Sequence, residues 1–158
     1  MNLTIKLLPL NKKNVELLVR LDAEIFLRSD RFSTTDWRKC GLQVYLLRVG
    51  RRIVGTVALE HNRDGETYGQ VPGHIYLASI GIRPAWQGKG LGLILMSWVI
   101  SYAKLGGFNK IRSHIRPSNR PSSRLHLRFG FKVLKTVPFL YLDPREEGLL
   151  LENNLKGS

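Results

Sequence analysis

The sequence predicts an α/β domain of mixed α+β type, a central mixed β-sheet flanked by helices on both faces. Three observations predict it. Short runs with period-two apolar alternation interleave with stretches whose apolar residues recur every three to four positions. A strand-like run reaches a proline and then a glycine-rich turn that opens a long apolar helix. No repeat, low-complexity tract or linker interrupts the 158 residues, so they read as a single domain, 1–158, long enough to bury a core.

The elements follow in order. Asn2 to Leu8 alternates like a strand and, with its single lysine, does not read as a signal peptide. Asn11 to Phe26 sets Val15, Leu18, Leu21 and Ile25 on one helical stripe. Thr34 or Thr35 is a suitable N-cap for a short second helix reaching about Cys40. Gln43 to Val49 and Arg52 to Glu60 are strands about a Gly50-Arg51 turn, and Asn62 to Gly73 is a polar, glycine-rich loop. His74 to Ile82 is the strand that enters the glycine turn. From Gly88 to about Leu105 a helix carries Leu91, Leu95, Trp98 and Tyr102 on one stripe, and Gly106-Gly107 ends it. Asn109 to Arg116 is a strand. Asn119 caps a helix running to Phe129, with Gly130 at its end. Phe131 to Val137 and Gly148 to Asn154 are strands joined through an Asp143-Pro144 turn. The order is β-α-α-β-β-β-α-β-α-β-β.

Composition narrows the function. No apolar run approaches the ~20 residues of a membrane span. The lone Cys40 excludes an internal disulfide, and no Cys/His cluster has zinc spacing, so a metal-free, cytoplasmic protein is expected. Net charge is +13, and its distribution is uneven. Residues 67–142 hold no Asp or Glu and eleven Lys or Arg, which places +11 in the middle of the chain. A field of one sign attracts an anionic partner.

The glycine turn says which anion. It reads Ser79-Ile80-Gly81-Ile82-Arg83-Pro84-Ala85-Trp86-Gln87-Gly88-Lys89-Gly90-Leu91-Gly92. Glycines between a strand and a helix let backbone N–H groups crowd around a phosphate, and the helix N-terminus adds a favourable dipole. The dinucleotide fingerprint does not fit, because the last glycine comes one residue early. The nucleotide P-loop does not fit either, because Lys89 stands between glycines. What remains is Gln-x-x-Gly-x-Gly, from Gln87 through Gly90 to Gly92, after Ile-x-Pro. This resembles the acetyl-CoA loop of the GCN5-related N-acetyltransferases. A second stretch, Asn119 to Phe131, resembles that family's Asn-x-x-Ala-x-x-Leu-Tyr-x-x-x-Gly-Phe signature: Asn119, Leu125, Gly130 and Phe131 agree, and His126 holds the tyrosine position. The element order matches the family along essentially the whole chain.

The resemblance implies acetyl transfer from acetyl-CoA, as cosubstrate, to a primary amine by direct attack. Backbone groups from Gln87, Gly88, Lys89, Gly90, Leu91 and Gly92 would hold the pyrophosphate. The strand Ile80-Gly81-Ile82 would pair with pantetheine as another strand does. Asn119 would hydrogen-bond the arm, and Lys89, Arg120 and Arg124 are candidates for the phosphates. His126 would protonate the departing thiolate. Imidazolium (pKa about 6.5) is a stronger acid than phenol (about 10), but it must be charged to donate, and surrounding cations work against that. The base is expected at His114, in the place of a glutamate that serves in some family members, with Glu60 or a water chain as alternatives. His114 shares a strand face with Arg112 and Arg116. Tyr76 and Ser79 read as ordinary strand packing.

The amine is expected between the second helix and the loop before the last strand. Asp22, Glu24, Asp30, Asp36, Asp143, Glu146 and Glu147 lie there, interspersed with Arg20, Arg28, Arg31, Arg38 and Arg145. That mixture suits a peptide N-terminus, a lysine side chain or a neutral-to-anionic amine better than a polycation. Two other readings stand beside this one. A non-catalytic acyl-CoA-binding module gains from the missing carboxylate base and tyrosine. A nucleic-acid-binding module would need stacking aromatics, whereas Trp86, Trp98, Phe108 and Phe129 seem committed to the turn and core. Nucleic acid is therefore not the expected partner, and a homodimer is compatible with the sequence.

Overall fold

The computed structural model describes residues 2–27, 30–38, 42–61, 73–142 and 144–156. Seven strands form one sheet in the order β1-β2-β3-β4-β5-β7-β6. They are β1 (Leu3–Leu8), β2 (Leu42–Val49), β3 (Arg52–Glu60), β4 (His74–Ile82), β5 (Lys110–Ile115), β6 (Lys132–Leu142) and β7 (Arg145–Asn154). All neighbours are antiparallel except β4 and β5. Helices α1 (Lys12–Ile25) and α2 (Thr34–Trp37) cover one face, and α3 (Leu91–Leu105) and α4 (Arg120–Arg128) the other.

The two faces follow from strand alternation. On the first, Val15, Leu18 and Leu21 of α1 and Trp37 of α2 pack on Val44, Leu46 and Ala58. On the second, Leu91, Leu95, Met96 and Val99 of α3 pack on Val57, Leu59, Ile75, Leu77 and Ile111. Each fully buried aliphatic side chain contributes about 1.5–3 kcal/mol. Among the described residues no helix is long and apolar enough to cross a membrane.

Several boundaries differ from the expected ones for local reasons. Helix α1 begins at Lys12 because Asn11 caps it, its side chain accepting from Asn14 N. Ser33, not Thr34 or Thr35, caps α2, through a capping box with Asp36. The expected extension of α2 to Cys40 lies outside the described residues, as do most of the Asn62–Gly73 loop and Asp143. Helix α3 starts at Leu91 rather than Gly88, because Gly88 and Gly90 take φ of +76° and +81° and build a turn instead. A single 3₁₀ turn, Pro84–Trp86, precedes them and was not expected.

The last hairpin is longer than the sequence suggested. Strand β6 continues past Val137 through a bulge in which Pro138, Phe139 and Leu140 face Glu147 alone, between the pairs Val137↔Gly148 and Tyr141↔Glu146. Proline reads as a strand terminator, and here the bulge absorbs it. Phe139 sits at φ +55°, an unusual backbone for a bulky residue. Leu140 packs so closely over Gly148 that a Cβ there would collide with its side chain.

Candidate active site

Strands β4 and β5 create the site by parting. They pair only from His74↔Lys110 to Leu77↔Ser113. Beyond Leu77, β4 stays on β3 as far as Gly55↔Ile82, with Ala78 as the extra residue of a bulge, while its other edge opens onto a cleft. That cleft has a volume of about 330 Å³. Ser79 and Ile80 border it from β4, Ser113 and His114 from β5, and Asn119 and His126 from α4 and its cap. An open strand edge is a ready partner for an extended amide-bearing chain.

At one end stands the glycine turn. The N-terminus of α3 has no side-chain cap, so its first N–H groups point outward. A Cβ on Gly88 or Gly90 would meet nothing within 4 Å, and both hold a left-handed backbone. Gln87 braces the turn with Nε2 donating to Ile82 O at 2.9 Å. Gly81 is glycine for another reason: a Cβ there would stand 2.6 Å from Ile25 and Phe26. Lys89, Arg120 and Arg124 are exposed at this end, and Gly92 lies against Leu125 of α4. Asn119 spends its Oδ1 on capping Ser122 N, at 3.2 Å, which leaves its Nδ2 group as a donor toward the cleft. These groups fit a pyrophosphate and a pantetheine arm.

At the other end the two expected histidines fall on opposite faces of β5. His126 approaches Ser113 from the α3/α4 face. Its Nδ1–H donates to Ser122 O at 2.8 Å, and its Nε2 lies 3.3 Å from Ser113 Oγ, which itself donates to Leu77 O. This knot marks the last β4–β5 pair. His126 is 1% exposed and packs edge-on against Phe131. Burial lowers its pKa, and the bond to Ser122 opposes that only partly. The cause is desolvation rather than the neighbouring cations expected from sequence.

His114 faces the α1/α2 side. Its Nδ1 is 2.7 Å from Tyr76 Oη, and Glu60, opposite Tyr76 on β3, lines the same cleft. Sequence alone treated Tyr76 as packing. The signal was its alternation with His114 across neighbouring strands, but reading it needs the β4–β5 register. The acid-free middle of the chain also proves less bare than it looked, because Asp30, Asp36 and Glu60 reach the cleft from outside it.

Arg116, 3% exposed, closes the site. It donates to Asp30 Oδ1 at 2.9 Å, Pro144 O at 2.7 Å and Glu146 Oε1 at 3.4 Å, and its guanidinium lies 4.3 Å from the Tyr141 ring centroid. Glu146 in turn accepts from Ser118 N at 2.8 Å and from Ser118 Oγ. The Ser118 hydroxyl, chiefly, holds Glu146 below the usual carboxylate range. Thus one buried cation joins the segment after α1, the β6–β7 hairpin and the approach to α4.

Comparison with known proteins agrees with this architecture. L-methionine sulfoximine/L-methionine sulfone acetyltransferase of Salmonella typhimurium is 40% identical over 60 residues, 38% of this chain and 35% of that protein. The chain's matches span about a quarter to a third of the curated relatives' length. Two solved folds cover nearly everything. The ribosomal-protein-S18-alanine N-acetyltransferase from Escherichia coli has a TM-score of 0.80 at 16% identity, over 99% of this chain and 96% of that one. Arabidopsis thaliana NAA60, solved with acetyl-CoA, has 0.78 at 12% identity, over 99% and 100%. The profile of one family matches residues 12–131, from α1 through the parted strands to Phe131, and by that match the chain belongs to the acetyltransferase (GNAT) family.

Proposed function

We propose that this chain is an acetyl-CoA-dependent N-acetyltransferase whose acceptor, a peptide or protein N-terminus or a small primary amine, attacks directly in a ternary complex. The observation that carries it is the parting of β4 from β5, with phosphate-binding N–H groups at one end and the Tyr76–His114 pair at the other. Acetyl-CoA supplies the acetyl group as a thioester. The chain holds both substrates in line and manages two protons.

An amine near neutral pH arrives as ammonium and must lose a proton. With His114 Nδ1–H donated to Tyr76 Oη, the lone pair sits on Nε2 and accepts that proton. Tyr76 is a positioning residue in this scheme, fixing tautomer and ring. The acid role expected of His126 is not carried over. A buried imidazole that is neutral near pH 7 holds no proton on Nε2, and a thiol of ordinary pKa, about 8.5, departs without obligatory protonation. His126 instead fixes Ser113 at the strand junction. The ground for a non-catalytic module, a cleft without carboxylates or base, is removed by Glu60, Asp30, Asp36 and His114. Trp86, Trp98, Phe108 and Phe129 pack against the core, so they do not form a stacking surface for nucleic acid.

The test is kinetic. His114→Gln should lower kcat about 10²-fold or more with acetyl-CoA affinity unchanged, and should abolish the rise of kcat/KM with pH. His126→Phe, similar in volume, should keep kcat within a few-fold. Reversal of the two results would exchange their roles.

A further inference from the structure

The acceptor side of the cleft has a charge pattern that selects among amines. Two guanidinium groups line it, and both are spent on the protein. Arg31 Nε donates to Phe26 O at 2.9 Å and Nη2 to Ala23 O at 3.0 Å, closing the C-terminus of α1. Arg116 is fixed by Asp30, Glu146 and Pro144 O. On the same side stand three carboxylates, Asp30, Asp36 and Glu60. With Glu146 behind Arg116, the formal charge of this side among the described residues is −2, in a chain of +13. The walls between these groups are apolar: Phe26, Phe32 and Leu140.

We propose that the acceptor is a primary amine with an uncharged substituent beside it, an N-terminal residue or amide with an apolar side chain, and that free α-amino acids are rejected. An ammonium group is drawn to the carboxylates. A carboxylate on the adjoining carbon would enter the same field, desolvated and facing like charge, with both guanidinium forks already occupied. An amide or an alkyl group in its place meets no such penalty, and its side chain lies along Phe26, Phe32 and Leu140. This corrects the expectation of a neutral-to-anionic amine, and it rests on the acetyl-transfer reading.

The experiment compares three acceptors that share one side chain: L-leucine, L-leucinamide and 3-methylbutylamine, which is leucine without its carboxylate. CoA release is measured at several pH values, so that differences in amine basicity are separated from recognition. Both carboxylate-free acceptors should exceed leucine in kcat/KM at least tenfold. Glu60→Gln should shrink that ratio at least threefold through leucine's gain relative to the others. Leucine turned over as well as either partner overturns the inference and leaves the enzyme intact. Failure of all three in protein that binds acetyl-CoA by calorimetry overturns the acetyl-transfer reading, and this inference with it.

Discussion

Asp22 is the residue whose environment is least like its chemistry. It lies in the buried stripe of α1, 1% exposed, and accepts from Phe32 N at 3.1 Å through Oδ2. Burial raises its pKa from 3.8 to about 6, against the Phe32 N–H, the Trp37 indole and Arg31, which pull it down. Asp22 Oδ1 and Trp37 Nε1 are both buried and outside strict hydrogen-bonding geometry, so the carboxylate is only half satisfied. The raised value fixes the sign of its effect. Between pH 4 and 6 the folded chain binds more protons here than the unfolded chain, so stability falls as pH rises through that window. At pH 7 the cost is on the order of 2–3 kcal/mol. Asp22→Asn keeps an acceptor for Phe32 and removes the charge. It should therefore raise the urea midpoint at pH 7 and flatten this residue's part of the pH dependence between 4 and 6. An Asn variant less stable than the parent at pH 7 would show that the charge, not the hydrogen bond alone, holds the segment after α1.

At the scale of elements, Arg116 does what no single strand can. It ties the segment after α1 to the β6–β7 hairpin, and Glu146 extends the tie to Ser118 at the approach to α4. Removing a buried cation strands the carboxylates that faced it, a loss of about 3–5 kcal/mol when both partners are buried. Asp30 and Glu146 keep 17% and 20% exposure, which places Arg116→Ala nearer the lower end of that range. Chemical unfolding should show it, with Arg116→Lys recovering part of the loss because one ammonium cannot span three acceptors. A loss below 1 kcal/mol would mean that the hairpin is held elsewhere. Elements of this kind were only partly legible in the sequence. The period-two and helical stripes placed all seven strands and the helices, since those patterns are local. The glycine turn and Asn119 were legible because backbone conformation and capping restrict residue type at single positions. The Tyr76–His114 contact and the Arg116 ties depend on which strands lie side by side, and no local pattern encodes that. The β6 bulge was hidden by Pro138, which is a strand breaker in any linear reading.

At the scale of the whole molecule, charge is sorted between the two ends of one cleft. Four of the eleven cations in the acid-free stretch, Arg83, Lys110, Arg112 and Arg116, are paired with Glu24, Glu152, Asp30 and Glu146, all from outside it. Lys89, Arg120, Arg124 and Arg128 stand exposed around the glycine turn and α4. The positive field is therefore concentrated where the phosphates of acetyl-CoA would lie, while the acceptor end is negative. A polyanion and an ammonium are each drawn to their own end, which favours the ternary complex over either substrate in the wrong place. Screening should weaken the first attraction measurably, because the Debye length falls from about 10 Å at 0.1 M salt to about 3 Å at 1 M. Calorimetric Kd for acetyl-CoA should rise at least fivefold across that range. The affinity of S-acetylpantetheine, which carries neither pyrophosphate nor ribose phosphate, should be nearly constant. Replacing Lys89, Arg120 and Arg124 together with alanine should flatten the salt response of acetyl-CoA toward that of the fragment. Equal salt dependence for cosubstrate and fragment would place the recognition in the pantetheine groove between β4 and β5 and leave the exposed cations with no part in it.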